Sequence, residues 1–110
     1  MRQKQNMEHT PLLVLSLLSR EDMYGYQMIA ELEKKLDSTF SMKEGTLYPI
    51  LRQLENEGAI QSYQQAAPTG RMRKYYHLTA KGGLLLRQET ERWRSYQRSI
   101  DAVVEHAVLA

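Results

Sequence analysis

Apolar residues run almost unbroken from Leu12 to Leu18, which predicts a first helix buried on most of its sides. Thr10 and Pro11 precede it as an N-cap and a proline at the first helical position, where the missing N–H costs nothing. Met1 to His9 reads as a polar, frayed lead. Tyr26, Ile29, Leu32 and Leu36 recur at helical spacing and predict a second helix from Met23 or Tyr24, with Asp22 as its cap. A third helix is predicted from Ser41. Ser41 and Glu44 make an S-x-x-E capping box, Leu47, Leu51 and Leu54 the buried stripe, and Gly58 the terminating glycine. Lys43, Thr46, Tyr48, Arg52 and Gln53 fall off that stripe and face outward. Pro49 should either bend this helix or set its first turns apart as a short helix.

After Gly58 the period drops to two. Ile60 to Gln64 and then Met72, Lys74, Tyr76 and Leu78, alternating with Arg73, Tyr75 and His77, predict two strands. The turn-rich tip between them, Gln65 to Gly70, makes a hairpin. Thr79 then caps a last helix from Ala80 to about Val108, its first turn weakened by Gly82 and Gly83. Leu86, Trp93, Tyr96, Ile100, Val103 and Ala107 form a heptad seam along it. A rod of roughly 40 Å is longer than so small a core can cover. A second copy of the chain is the economical partner for the uncovered stripe; the rival reading packs the seam wholly on the first helix.

Composition narrows the function. With 110 residues and no cysteine, the chain is one domain, or one domain plus an appendage, without disulfides or thiolate metal sites. The one apolar run is too short to cross a membrane, and a cytoplasmic location is expected. His9, His77 and His106 are far apart, no nucleophile motif or phosphate-binding glycine loop is present, and neither enzyme activity, metal nor cofactor is expected. The net charge of +2 is unevenly spread: Arg71 to Arg98 holds eight Lys/Arg against Glu89 and Glu91, leaving the rest of the chain acidic on balance. Arg71, Arg73 and Lys74 follow the hairpin tip at once, as a strand pair laid on phosphates would require.

Helix, helix, helix, basic hairpin and long helix follow the winged helix-turn-helix plan: mainly α with a small β-hairpin, residues 1–79 forming the DNA-binding domain and 80–110 a C-terminal dimerisation helix. The sequence resembles the PadR family of transcriptional regulators in its short form. Tyr24-Gly25-Tyr26, Gly45-Thr46-Leu47-Tyr48-Pro49-Ile50-Leu51 with Leu54-Glu55 and Gly58, Gly70-Arg71, Arg73-Lys74-Tyr75-Tyr76, Leu78-Thr79 and Gly82 carry that resemblance over about two-thirds of the chain. It implies a homodimeric repressor of double-stranded DNA that recognises an inverted repeat near a promoter. Lys43, Thr46 and Tyr48 then fall on the recognition helix, Arg71, Arg73 and Lys74 on the wing, and Tyr24 at a phosphate-contacting position. In multidrug-responsive members a tryptophan at the position of Trp93 stacks flat aromatic drugs, which implies a small aromatic effector site at Trp93, Tyr96 and Glu89, with Asp101 a second nearby carboxylate. On the residues alone, Trp93 filling a dimer core is an equal reading. A winged-helix protein-interaction module, its wing merely solvated, is the alternative from another functional class.

Overall fold

The chain's computed structural model describes residues 2–36 and 42–109, with side chains over 9–36 and 42–107. Its elements are α1 (Arg2–Leu18), β1 (Met23–Tyr24), α2 (Gly25–Lys35), α3 (Glu44–Asn56), β2 (Ile60–Ala66), β3 (Met72–Leu78) and α4 (Ala80–Leu109). This is the expected three helices, hairpin and long helix. Ser41 and the linker from Asp37 to Phe40 lie outside the described residues.

Leucine stripes close the core. Leu15 of α1, Met28 of α2, Leu47 and Leu51 of α3 and Ile60 of β2 are almost wholly buried together. Each such side chain contributes roughly 1.5–3 kcal/mol by leaving water. The stripe of α2 is Gly25, Met28 and Leu32, not one that includes Tyr26, which is 60% exposed.

The start of α2 was misplaced for a physical reason. Met23 and Tyr24 are a short strand paired with Tyr76 and Tyr75 of β3, so the sheet has the order β1-β3-β2. Tyr24, not Asp22, occupies the N-cap position. That pairing spans some fifty residues of chain, and no local pattern announces a two-residue strand. Asp22 is drawn to the sheet instead, where its carboxylate accepts the Tyr63 hydroxyl at 2.6 Å and meets Nδ1 of His77 at 2.8 Å.

Helix α1 extends further toward the N-terminus than the apolar run predicts. Thr10 is fully buried and Pro11 lies inside the helix, not at its start. A proline there removes one backbone bond and costs about 3 kcal/mol in an isolated helix. Tertiary contact meets the helix at this turn: the His9 ring sits edge-on to Trp93 of α4, with centroids 4.9 Å apart.

Helix α3 is continuous through Pro49, so the separate short helix does not exist. It begins at Glu44 with Lys43 at the N-cap and no side-chain cap bond, so Glu44 is the first helical residue and not the third of a capping box. Its far end follows the expected glycine stop. Gly58 adopts φ +79°, its N–H donates to the Glu55 carbonyl at 3.0 Å, and the Ala59 N–H donates to that of Leu54 at 2.9 Å.

Thr79 caps α4 as expected, its Oγ1 accepting the Gly82 N–H at 3.0 Å while donating to the Gly58 carbonyl at 2.6 Å. Gly82 has a packing role the pattern did not reveal: a Cβ there would collide with the Ala59 carbonyl oxygen. Leu85 and Leu86 pack on the chain's own core, which removes Leu86 from the free seam. Beyond Trp93 the helix leaves that core. Tyr96, Ile100, Val103 and Val104 are 54%, 44%, 70% and 52% exposed, and Ala107 is exposed as well, so α4 does not pack wholly on α1.

Candidate nucleic-acid interface

The first turn of α3 is open to solvent. Lys43, Glu44 and Gly45 are exposed and Thr46 is half-buried. Leu47, Leu51 and Leu54 pull the opposite face of the helix into the core and fix which residues remain outside. Arg52 and Gln53 are exposed as expected, but Tyr48 is not an outward residue. It is half-buried against the core, and its hydroxyl occupies the space where a side chain at residue 25 would begin. Gly25 is therefore required for α2 and α3 to approach.

One turn earlier, Tyr26 and Glu44 join the same two helices. The Tyr26 hydroxyl donates to Oε1 of Glu44 at 2.5 Å, and this bond, ahead of the carboxylate's charge, raises the Tyr26 phenol above its ordinary value. The Tyr48 phenol is also raised, chiefly by burial, then by Glu44 and Tyr76, with Lys74 opposing. Tyr48 thus feels charge from both α3 and β3. Of the predicted site residues, Lys43 and Thr46 lie at the start of this helix and Tyr48 one turn further on.

The wing is a seven-residue antiparallel pair with Gln64 opposite Lys74 and Gln65 opposite Arg73. Alternation sends neighbouring cations to opposite faces. Lys74 lies with the buried Tyr76, its Nζ 5.6 Å from the ring centroid. Arg73 lies on the outer face with its guanidinium 4.5 Å from the Tyr24 ring centroid, and Tyr24 meets Tyr75 edge-on at 5.4 Å. The Tyr24 ring thus holds Arg73 at the start of α2, so the predicted Tyr24 and Arg73 form one unit. Arg71 is exposed beside the tip, where the Ala67 N–H donates to the Arg71 carbonyl at 2.7 Å.

The basic segment is not one patch. Arg71, Arg73 and Lys74 belong to the wing, whereas Lys81, Arg87, Arg92, Arg94 and Arg98 belong to α4. On α4, Arg92 reaches Glu89 at 3.3 Å and Arg98 reaches Glu91 at 3.9 Å.

A second concavity of about 270 Å³ lies where α1 crosses α4, lined by His9, Leu12, Glu89, Arg92, Trp93 and Tyr96. It joins the three residues predicted for an effector. Trp93 and Tyr96 rings lie 5.8 Å apart, and His9 closes the group from α1. Asp101 is exposed and does not line it. His9 lies outside a helix expected to start at Thr10, and Leu12 reads from the pattern only as core; neither neighbourhood shows that α4 crosses here.

This geometry, a reader helix flanked by a cationic wing and followed by a long helix, has close parallels. The family described as Transcriptional regulator PadR-like family matches residues 14–88. The chain belongs to that family. Its PadR-like fold is shared with smu.1704 of Streptococcus mutans at 41% identity and a TM-score of 0.78, covering 87% of this chain and 86% of that one. A PadR family transcription regulator of Clostridium difficile superposes with a TM-score of 0.78 at 28% identity, over 87% of this chain and 98% of that one. An uncharacterized protein X of Lysinibacillus sphaericus is 31% identical over 88% of this chain and 89% of its own length. Family membership makes this PadR-like protein a DNA-binding transcriptional regulator rather than an enzyme. No described helix is long and apolar enough to cross a membrane.

Proposed function

We propose that this PadR-like regulator is a homodimeric repressor that binds an inverted repeat in a promoter. Residues 1–79 read DNA and 80–110 join the two copies. The observation that carries the reading is the exposed first turn of α3, with Lys43 outward, beside a wing whose Arg73 lies over the Tyr24 ring at the start of α2. Lys43 and Thr46 meet base edges and backbone in the major groove; Arg71, Arg73, Lys74 and Tyr24 hold the flanking phosphates. The apolar stripe of Tyr96, Ile100 and Val103 supports the dimer, since it is a continuous exposed face on a helix otherwise rich in charge. Symmetric copies would set the two α3 helices about 34 Å apart or a multiple of it, one DNA turn.

The ringed concavity at Trp93 supports release by a planar aromatic effector, with Glu89 favouring a cationic one. A cytoplasmic location goes with this reading. The test is selection of the host's own genomic fragments by the purified protein at near-physiological salt, followed by sequencing. Enrichment of upstream regions sharing an inverted repeat is expected. Enrichment no greater than in a salt-matched control would overturn the reading in favour of a protein-interaction module.

A further inference from the structure

The contact between Tyr26 and Glu44 has no role in closing the core. Both side chains are exposed, and they meet at the mouth of the helix-turn-helix, on the first turn of α3. A carboxylate at that place is electrostatically wrong for a surface that docks on phosphates, because it lowers affinity for every DNA sequence alike. It complements the dipole at the first turn of α3, and it is also chemically suited to reading one kind of base edge. In the major groove a carboxylate can accept a hydrogen bond only from an exocyclic amino group, the N4 amino group of cytosine being its usual partner. Guanine O6 and N7 and thymine O4 present only acceptors and repel it.

The geometry favours that use. Glu44 is the first residue of the helix, and recognition helices meet base edges with their N-terminal residues. Its Oε1 accepts the Tyr26 hydroxyl, and a carboxylate has a second oxygen with which to accept another bond. The bond from α2 removes much of the rotamer freedom a surface glutamate would otherwise lose on binding. One turn on, Tyr48 is seated against Gly25, so consecutive residues of α2 hold positions 44 and 48 of one α3 face. The side chain is therefore held in place before DNA arrives.

Resting on the DNA-reading function proposed above, we infer that Glu44 is a specificity-determining residue that selects cytosine in each half-site, and that Tyr26 is its positioning residue. Glu44 acts mainly by exclusion: it gains one hydrogen bond at cytosine and suffers acceptor–acceptor repulsion at guanine or thymine.

The test is selection from random double-stranded oligonucleotides by the wild type, E44A, E44Q and Y26F. Titration of the selected operator and its single-base variants follows, with circular dichroism verifying the helix content of each protein. The wild type should show a cytosine at one position per half-site, preferred by about five- to a hundredfold. E44A should lose preference at that position alone while binding mismatched DNA more tightly, because a charge repelling phosphates is gone. E44Q should transfer the preference to adenine, whose N6 and N7 a carboxamide fits. Y26F should weaken the cytosine preference and leave the other positions unchanged. Matrices for E44A and E44Q identical to that of the wild type would overturn the assignment, as would an equal loss of affinity for all sequences. A wild-type preference unaffected by Y26F would overturn the positioning role of Tyr26. A wild type that enriches no sequence would overturn DNA reading itself, and that arm is independent of the variants.

Discussion

The two ends of α4 handle apolar side chains in opposite ways. Near Gly82 the helix is pressed so closely onto Ala59 that no side chain fits, and Leu85 and Leu86 are drawn into the core formed by α1, α3 and β2. Two turns beyond Trp93 the same helix offers Ile100 and Val103 to water. Both halves carry apolar residues at helical spacing. Only the first half has the rest of the chain beside it. Periodicity therefore reports that a face is to be covered, and the tertiary structure alone reports whether the chain covers it itself.

The comparison breaks most sharply in the core. Leu51→Ala removes a side chain with about 1% exposure at the centre of α3 and should cost about 2–5 kcal/mol. Its denaturant midpoint should fall by the same amount at every protein concentration. Ile100→Lys with Val103→Lys probes the other half. Lysine is a good helix former, so the winged domain should retain its stability. Self-association, followed by sedimentation, should weaken by at least roughly tenfold, about 1.4 kcal/mol. Unchanged association would mean that the exposed stripe is not where copies meet.

The adjacent glycines sharpen the contrast at the near end. Gly82→Ala places a Cβ against the Ala59 carbonyl and the Leu78 side chain. It should destabilise by about 1–3 kcal/mol despite alanine's better helix propensity. Gly83 has open space around it, and Gly83→Ala should stabilise by up to about 1 kcal/mol. Thermal denaturation of the two variants should shift in opposite directions.

The smallest effect comes from the outer face of the sheet, where Tyr63 donates to Asp22 and its phenol is pushed up to about 12. A raised phenol means the folded chain holds this proton more tightly than the unfolded chain. The contact's stabilisation is complete below the ordinary tyrosine value near 10 and is lost as pH rises through about 12. Asp22 has the opposite sign: the Tyr63 hydroxyl, followed by His77, lowers its carboxyl against the effect of burial. Its contribution is present above the ordinary carboxylate range and is lost as pH falls through the folded value. Both groups are substantially exposed, so the effect is small. Melting temperatures across alkaline pH should decline less in Tyr63→Phe than in the wild type.

Much of the candidate site could be read before the fold was known. The α3 stripe, the hairpin, the Thr79 cap and the position of the wing cations all follow from contacts a few residues apart, which periodicity and cap chemistry record directly. The missed features share a cause. Asp22 looked like a cap because the strand that claims Tyr24 lies about fifty residues away. Tyr26 looked like a core residue because its carboxylate partner is on another helix. Pro11 looked like a helix start because the contact between His9 and Trp93 cannot be seen from either neighbourhood.

By itself, then, the sequence determined the element order, the buried face of α3, the basic wing and the PadR-like plan, since propensity, capping and burial period are local properties of the chain. The tertiary structure decided where α1 and α2 begin, which face of the sheet each wing cation takes, and that Tyr26 holds Glu44. It also decided that the seam of α4 becomes free only beyond Trp93. Those features depend on which distant groups satisfy a hydrogen bond or exclude water from an apolar face, and that is settled only when the chain closes on itself.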